Sequence, residues 1–165
     1  MKINFKNLHW LWLSLLVLII DSMTKVLALK HLSFEQAVKI WPFFNLTLSF
    51  NRGAAFSLLN NASDWQQWFF GGIAIVVCTV LVVWLVRLES HRIRTASAIS
   101  LIVGGAIGNL ADRIQHGHVV DFVQLHIGHY YWPIFNMADS AIFLGAIILA
   151  IEIVVTPTTP TVPRT

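Results

Sequence analysis

Cysteine, charge and the common hydrolase motifs are all scarce in this chain. The single cysteine, Cys78, excludes an internal disulfide, and it lies within an apolar run, where it reads as a small hydrophobe. It says nothing about redox compartment. Only 12% of the 165 residues are charged, roughly half the share in ordinary soluble domains. The net charge of +3 forms no basic stripe, which argues against a nucleic-acid partner. There is no His-Glu-x-x-His to hold zinc and no Gly-x-Ser-x-Gly to present a serine. No internal repeat of useful length is visible, so the repeated halves typical of many transporters are missing.

What is abundant is apolar: 56% of residues, with a mean hydropathy of +0.70. The length allows one domain. Four stretches reach the roughly 20 residues needed to cross a bilayer: about 9–29, 68–88, 96–114 and 138–155. Lys2 and Lys6 precede the first, as in a secretory signal peptide, but the run is too long and no small-residue cleavage site follows. It is read as a retained span. Lys2, Lys6, Arg87, Arg92 and Arg94 flank one side of the four spans. The positive-inside rule makes that side, with both termini, cytoplasmic. The connections about 30–67 and 115–137 then face outward, although they carry Lys30, Lys39 and Arg52.

These outer connections have their own patterns. Phe44 to Asn51 alternates apolar and polar strictly, the period of a half-buried strand, and Val119 to Ile127 is β-rich. Two such strands predict a small sheet on the membrane, with Asn45, Thr47, Ser49 and Asn51 of the first on one polar face toward the site and its apolar face turned to lipid. Trp10, Trp12, Trp41, Trp65, Trp68, Tyr130, Tyr131 and Trp132 fit an interfacial aromatic belt. The tail, residues 156–165, is rich in threonine and proline and is expected to be disordered.

Polar residues in such a chain are expensive and need a partner or a task. Asp21 and Lys25 share a helical face, either as a structural ion pair or as part of a binding site. Gly104 and Gly108 make a small-xxx-small step for close helix packing. Asn109, Asp112 and Arg113 then form a cluster at the outward end, a tether or the wall of a polar site. Asn136 is a good N-cap, and Asp139 at the third helical position complements it. Asp121 has no such explanation, because it interrupts Val119-Val120 and Phe122-Val123. Two carboxylates flanking one loop suggest a pair that shares a proton and activates water. Two other chemistries are conceivable: a zinc site from His116, His118, His126 and His129, and a triad using Ser140 beside Asp139. A small transporter or proton pathway along Asp21, Lys25 and Asp112 is the rival from another class.

Five blocks in order resemble the bacterial lipoprotein signal peptidase (signal peptidase II) family. They are Asp21 to Lys25, Asn51 to Phe56, Gly104 to Arg113, Val119 to Phe122 and Phe135 to Asp139. The resemblance implies an all-α integral membrane protein: four transmembrane helices, a small extracytoplasmic β-cradle and a short mobile helix over the site. It implies an aspartic endopeptidase of the bacterial inner membrane, with Asp121 and Asp139 catalytic and no cofactor or metal. The substrate implied is a prolipoprotein whose cysteine carries diacylglycerol, cut just before that cysteine, and globomycin-like cyclic peptides are the expected inhibitors. Asn109, Asn136, Arg113, Asp112, Asn51, Arg52, Gly105, Asp21 and Lys25 match family positions around the substrate or the pair. With the site complete in one bundle, a monomer is expected.

Overall fold

The computed structural model describes residues 4–53 and 65–155. The Ala54-Ala55-Phe56 part of one family block and the tail 156–165 lie outside the described residues. Among those described, no short helix covers the site.

A 3-10 turn, Phe5–Trp10, leads into α1, Leu11–His31. Strands β1, Val38–Trp41, and β2, Phe44–Asn51, follow. Then come α2, Trp65–Arg87, and α3, Ile93–His116. Strands β3, Val119–Ile127, and β4, Tyr130–Tyr131, precede α4, Met137–Val155. All four helices are long and apolar enough to cross a membrane. Expected spans and observed helices agree to within a turn, but His9 and Trp10 fall in the 3-10 turn.

The helices differ in what they face. In α3, 56% of the most apolar stretch is buried, against 17–28% in the others. α3 is therefore the central helix, and the other three turn apolar side chains outward, as lipid contact requires. Small residues allow this. A Cβ on Gly104 would lie 2.9 Å from Val17 Cβ of α1, and one on Gly145 would lie 2.7 Å from the Ala98 carbonyl oxygen. Without side chains at these points, helix backbones approach closely and dispersion contacts accumulate. α3 ends at Gly117, whose φ of 73° is left-handed and whose N–H returns to Arg113 O at 3.0 Å.

The sheet is antiparallel in the order β1-β2-β3-β4. β2 comes from the α1–α2 connection and β3 from the α3–α4 connection, so their pairing places both connections at one end of the bundle. Beneath it, Leu48, Val120, Phe122 and Val123 bury against Ala28 of α1. The opposite end is tied separately. Asn7 Nδ2 donates to Leu85 O and Leu88 O at 3.0 and 2.7 Å, and Arg94 meets Glu152 at 3.3 Å.

One expectation is overturned. Asn45, Thr47, Ser49 and Asn51 do not share a face, and Leu48 is buried rather than turned to lipid. Pairing of β2 with β3 shifts between Leu46 and Ser49, and the extra residue exchanges the two faces of the strand.

Candidate active site

Asp121 sits on β3 and is only 2% exposed. Asp139 is in the first turn of α4 and half-buried. One side chain joins them. Asn136, fully buried, donates from Nδ2 to Asp121 Oδ1 at 2.7 Å. Its Oδ1 accepts from Asp139 N at 2.9 Å, and Asp139 Oδ2 accepts in return from Asn136 N at 3.2 Å. That reciprocal pair is a capping box, which satisfies two orphan donors at the start of α4. The helix cap and the link between the two acids are thus the same residue.

Asn109 holds the other side. Its Nδ2 donates to Asp139 Oδ1 at 2.7 Å, and its Oδ1 accepts from Asn136 Nδ2 at 3.1 Å. On β2, Asn51 Oδ1 accepts from Gly53 N at 2.8 Å, which leaves its amide hydrogens for Asp121. Gly53 is required there: its φ is 107°, and a Cβ would strike the Phe70 ring at 2.6 Å. Phe70 lies under the Arg113 guanidinium, 5.8 Å from ring centroid to Cζ.

Lys25 and Asp21, both buried, form an ion triad beside the pair with the partly exposed Asp112. Lys25 Nζ lies 2.7 Å from Asp21 Oδ2 and 2.8 Å from Asp112 Oδ2. Each acid also takes a backbone donor: Ala138 N to Asp21 Oδ1 at 2.9 Å, and Val120 N to Asp112 Oδ2 at 3.0 Å. The triad therefore fastens α1 and α3 to the first turn of α4 and the start of β3. In sequence, Asp21–Lys25 is open between ion pair and binding site, and Asp112 between tether and wall. The contacts are those of a tether. The backbone donors at Val120 and Ala138 carry no sequence signal.

Gly105 serves by lacking a side chain. A Cβ there would collide with the Ala138 carbonyl oxygen and lie 2.8 Å from Ile142 Cγ1. Arg113 Nη1 donates to Asn109 O at 3.1 Å, while its buried Nε has no partner among the described residues. Beside it a crevice of about 180 Å³ opens between α2 and α3, lined in part by Gln67, Trp68 and Leu110. Arg52 stands apart, exposed to solvent.

The four histidines divide. His116 and His118 lie at the α3–β3 junction, ring centroids 5.9 Å apart, whereas His126 stacks on Tyr131 at the hairpin end. Among the described residues, no three His, Cys, Asp or Glu side chains gather to hold a metal. Ser140 Oγ donates to Asn136 O at 2.9 Å, as a helical serine does.

Burial and the neighbouring Asp139 carboxylate push Asp121 up to about 7, against the amides of Asn51 and Asn136 and the charge of Lys25, which pull it down. A carboxyl of this kind holds a proton near neutral pH beside a second carboxylate.

Residues 13–155 match the model of a family described as signal peptidase (SPase) II. The chain belongs to the signal peptidase II family. It is 51% identical over 151 residues to a lipoprotein signal peptidase of Pseudomonas putida, covering 90% of this chain and 88% of that one. It is 44% identical over 146 residues to one of Alteromonas mediterranea, covering 88% and 80%. A solved bacterial membrane enzyme superposes with a TM-score of 0.81 at 31% identity, covering 94% of this chain and 98% of that one. Signal peptidase II members are membrane proteases, and the chain is a peptide-bond hydrolase. Membership sets aside the transporter reading.

Proposed function

We propose that this chain removes the signal peptide from diacylglyceryl-modified prolipoproteins by an aspartic mechanism at Asp121 and Asp139. The observation that carries the reading is the bridge through Asn136, whose side-chain amide donates to the buried Asp121 carboxyl and whose backbone N–H donates to the half-buried Asp139 carboxyl at one end of the bundle. We assign the shared proton to Asp121, the more deeply buried acid. Asp139, held by the Asn109 amide and the Asn136 N–H, is the base. It takes a proton from water as the water oxygen attacks the scissile carbonyl carbon. Asp121 donates its proton to the carbonyl oxygen. The tetrahedral intermediate then collapses: a hydroxyl proton returns to Asp121 as the carbonyl re-forms, the C–N bond breaks and the amine leaves with the proton Asp139 had accepted, which restores the starting pair.

Other residues shape the site. Asn109, Asn136 and Asn51 orient the acids. Asp21, Lys25, Asp112 and Gly105 hold the elements that carry them. Arg113 has its Nε uncommitted for a substrate carbonyl. Arg52, exposed beside Asn51, is placed for the substrate's polar flank.

The substrate arrives laterally, since its signal helix and acyl chains are in lipid. Positive charges at the end opposite the sheet support a cytoplasmic placement of both termini and an outward site near the membrane surface. No second subunit or cofactor enters this scheme.

Gel-shift cleavage of a diacylglyceryl-modified prolipoprotein by the detergent-purified protein tests the reading. Wild type should cleave with or without chelator and be blocked by a globomycin-like peptide. Asp121→Asn and Asp139→Asn should fold and lose at least a thousandfold in rate, about 4 kcal/mol of barrier. The wild-type rate should fall as pH rises through about 7, where Asp121 loses the shared proton. Activity retained in either variant refutes the dyad.

A further inference from the structure

The register of β2 on β3 decides which polar residues reach the acids. Pairing runs Asn45 to Gln124 and Leu46 to Val123, then resumes as Ser49 to Asp121, Phe50 to Val120 and Asn51 to Val119. β2 therefore carries one residue more than β3 between the two blocks, a bulge at Thr47–Leu48 opposite Phe122. Side chains alternate with period two, so the extra residue exchanges faces. Asn45 and Thr47 stay on the Gln124 face, while Ser49 and Asn51 come round to the Asp121 face. Without the bulge, the first register would set Asn51 opposite His118 and turn it away from Asp121.

A bulge needs something to hold it at one position. Gln124 Oε1 accepts from Asn45 Nδ2 and from Thr47 Oγ1, each at 3.1 Å. The first donor is its direct cross-strand neighbour and the second is the first residue of the bulge. Both donors are buried, at 6% exposure each. A bulge one residue earlier would swing Thr47 to the other face and leave its hydroxyl without this acceptor, a costly outcome for a buried group.

We propose that Gln124 is a positioning residue for cleavage: by clamping Asn45 and Thr47 it fixes the bulge that turns Asn51 toward Asp121. The inference rests on the aspartic reading of Asp121. Asn51 is the polar residue that β2 supplies to Asp121, and its amide favours the ionised carboxylate there. The charged groups around Asp121 are Asp139 from α4, Lys25 from α1 and Arg113 from α3. His118, with His116 and Arg52 near it, lies at the Asn51 end of the strand pair. Gln124 acts through the strand alone.

The experiment is the pH profile of prolipoprotein cleavage by purified Gln124→Leu, Gln124→Glu, Asn51→Leu and the Gln124→Leu/Asn51→Leu double variant. Loss of the Asn51 amide removes a pull toward ionisation, so Asp121 keeps its proton to higher pH. Gln124→Leu should move the alkaline limb upward by about one pH unit, the scale of one charge-assisted hydrogen bond. Asn51→Leu should match it, and the double variant should move no further. Gln124→Glu retains an acceptor oxygen for both donors and should restore the wild-type limb. An unmoved limb in Gln124→Leu, additive shifts in the double variant, or failure of Gln124→Glu to restore the limb overturns the proposal. If Gln124→Leu does not fold, Thr47→Val removes one donor at nearly constant shape and carries the same comparison. Cleavage by Asp121→Asn would refute the aspartic reading itself; an unmoved limb with an inert Asp121→Asn refutes only the role of Gln124.

Discussion

At the residue scale, the catalytic role proposed for Asp121 is set against stability. Its folded value, about 7, lies above that of an unfolded aspartate. A group shifted this way costs the fold nothing below about pH 4, where it is protonated in both states. The cost grows as pH rises to about 7 and is constant beyond. Asp121→Asn removes the charge and keeps an oxygen for the Asn136 amide. It should therefore stabilise the protein above neutrality, by roughly 2–4 kcal/mol from the size of the shift. Thermal denaturation of both proteins in detergent from pH 4 to pH 9 checks this: the difference in Tm should open across the acid range and then level off. Much of this chemistry is legible in sequence, because Asp121 interrupts an apolar strand without a local excuse. Asp139 reads two ways, as a helix cap and as an acid for catalysis. The capping contacts are present, and they orient the same carboxylate that the proposed mechanism uses, so the cap does not displace the proposed role.

At the element scale, the contact between α3 and α4 controls where Asp139 sits. Gly105 faces the Ala138 backbone so closely that a methyl group cannot be accommodated without moving α4. Gly105→Ala should lower Tm and reduce cleavage at least tenfold, by overpacking of about 1–3 kcal/mol and by displacement of Asp139. Gly72 on α2 has nothing within 4 Å of an added Cβ. Gly72→Ala should keep or slightly raise Tm, since alanine is the better helix former. Equal Tm losses in the two variants would contradict the packing argument. Element boundaries follow from composition: apolar length gives the helices, alternation gives β2, and a β-rich run gives β3. The faces of β2 do not follow, because a bulge is set by a cross-strand clamp from a segment remote in sequence. The short strands β1 and β4 have too few residues for a pattern, and their Trp41, Tyr130 and Tyr131 read only as interfacial aromatics.

For the whole molecule, Lys25 links the parts. It sits between Asp21 and Asp112 with its side chain 4% exposed, and both acids hold backbone groups of other elements. Lys25→Met would leave the buried Asp21 and the partly buried Asp112 without their cation and should cost about 3–5 kcal/mol, read as a fall in Tm together with loss of cleavage. Orientation is testable independently. In a Cys78→Ala background, an impermeant maleimide applied to intact cells should label Lys39→Cys and spare Glu89→Cys, both exposed positions at opposite ends. The reverse pattern would invert the proposed topology. Four spans, a charge bias and the two outer-connection strands that meet in one sheet are legible in the sequence, but the register of that long-range pairing is not encoded in local pattern. The capping box at the start of α4 has a last consequence. Asn136 positions both acids only when α4 is wound from its first turn and seated against Gly105. A chain still threading into the bilayer therefore carries both aspartates and no protease. On the proposed reading, completing the tertiary structure is itself the step that assembles the site.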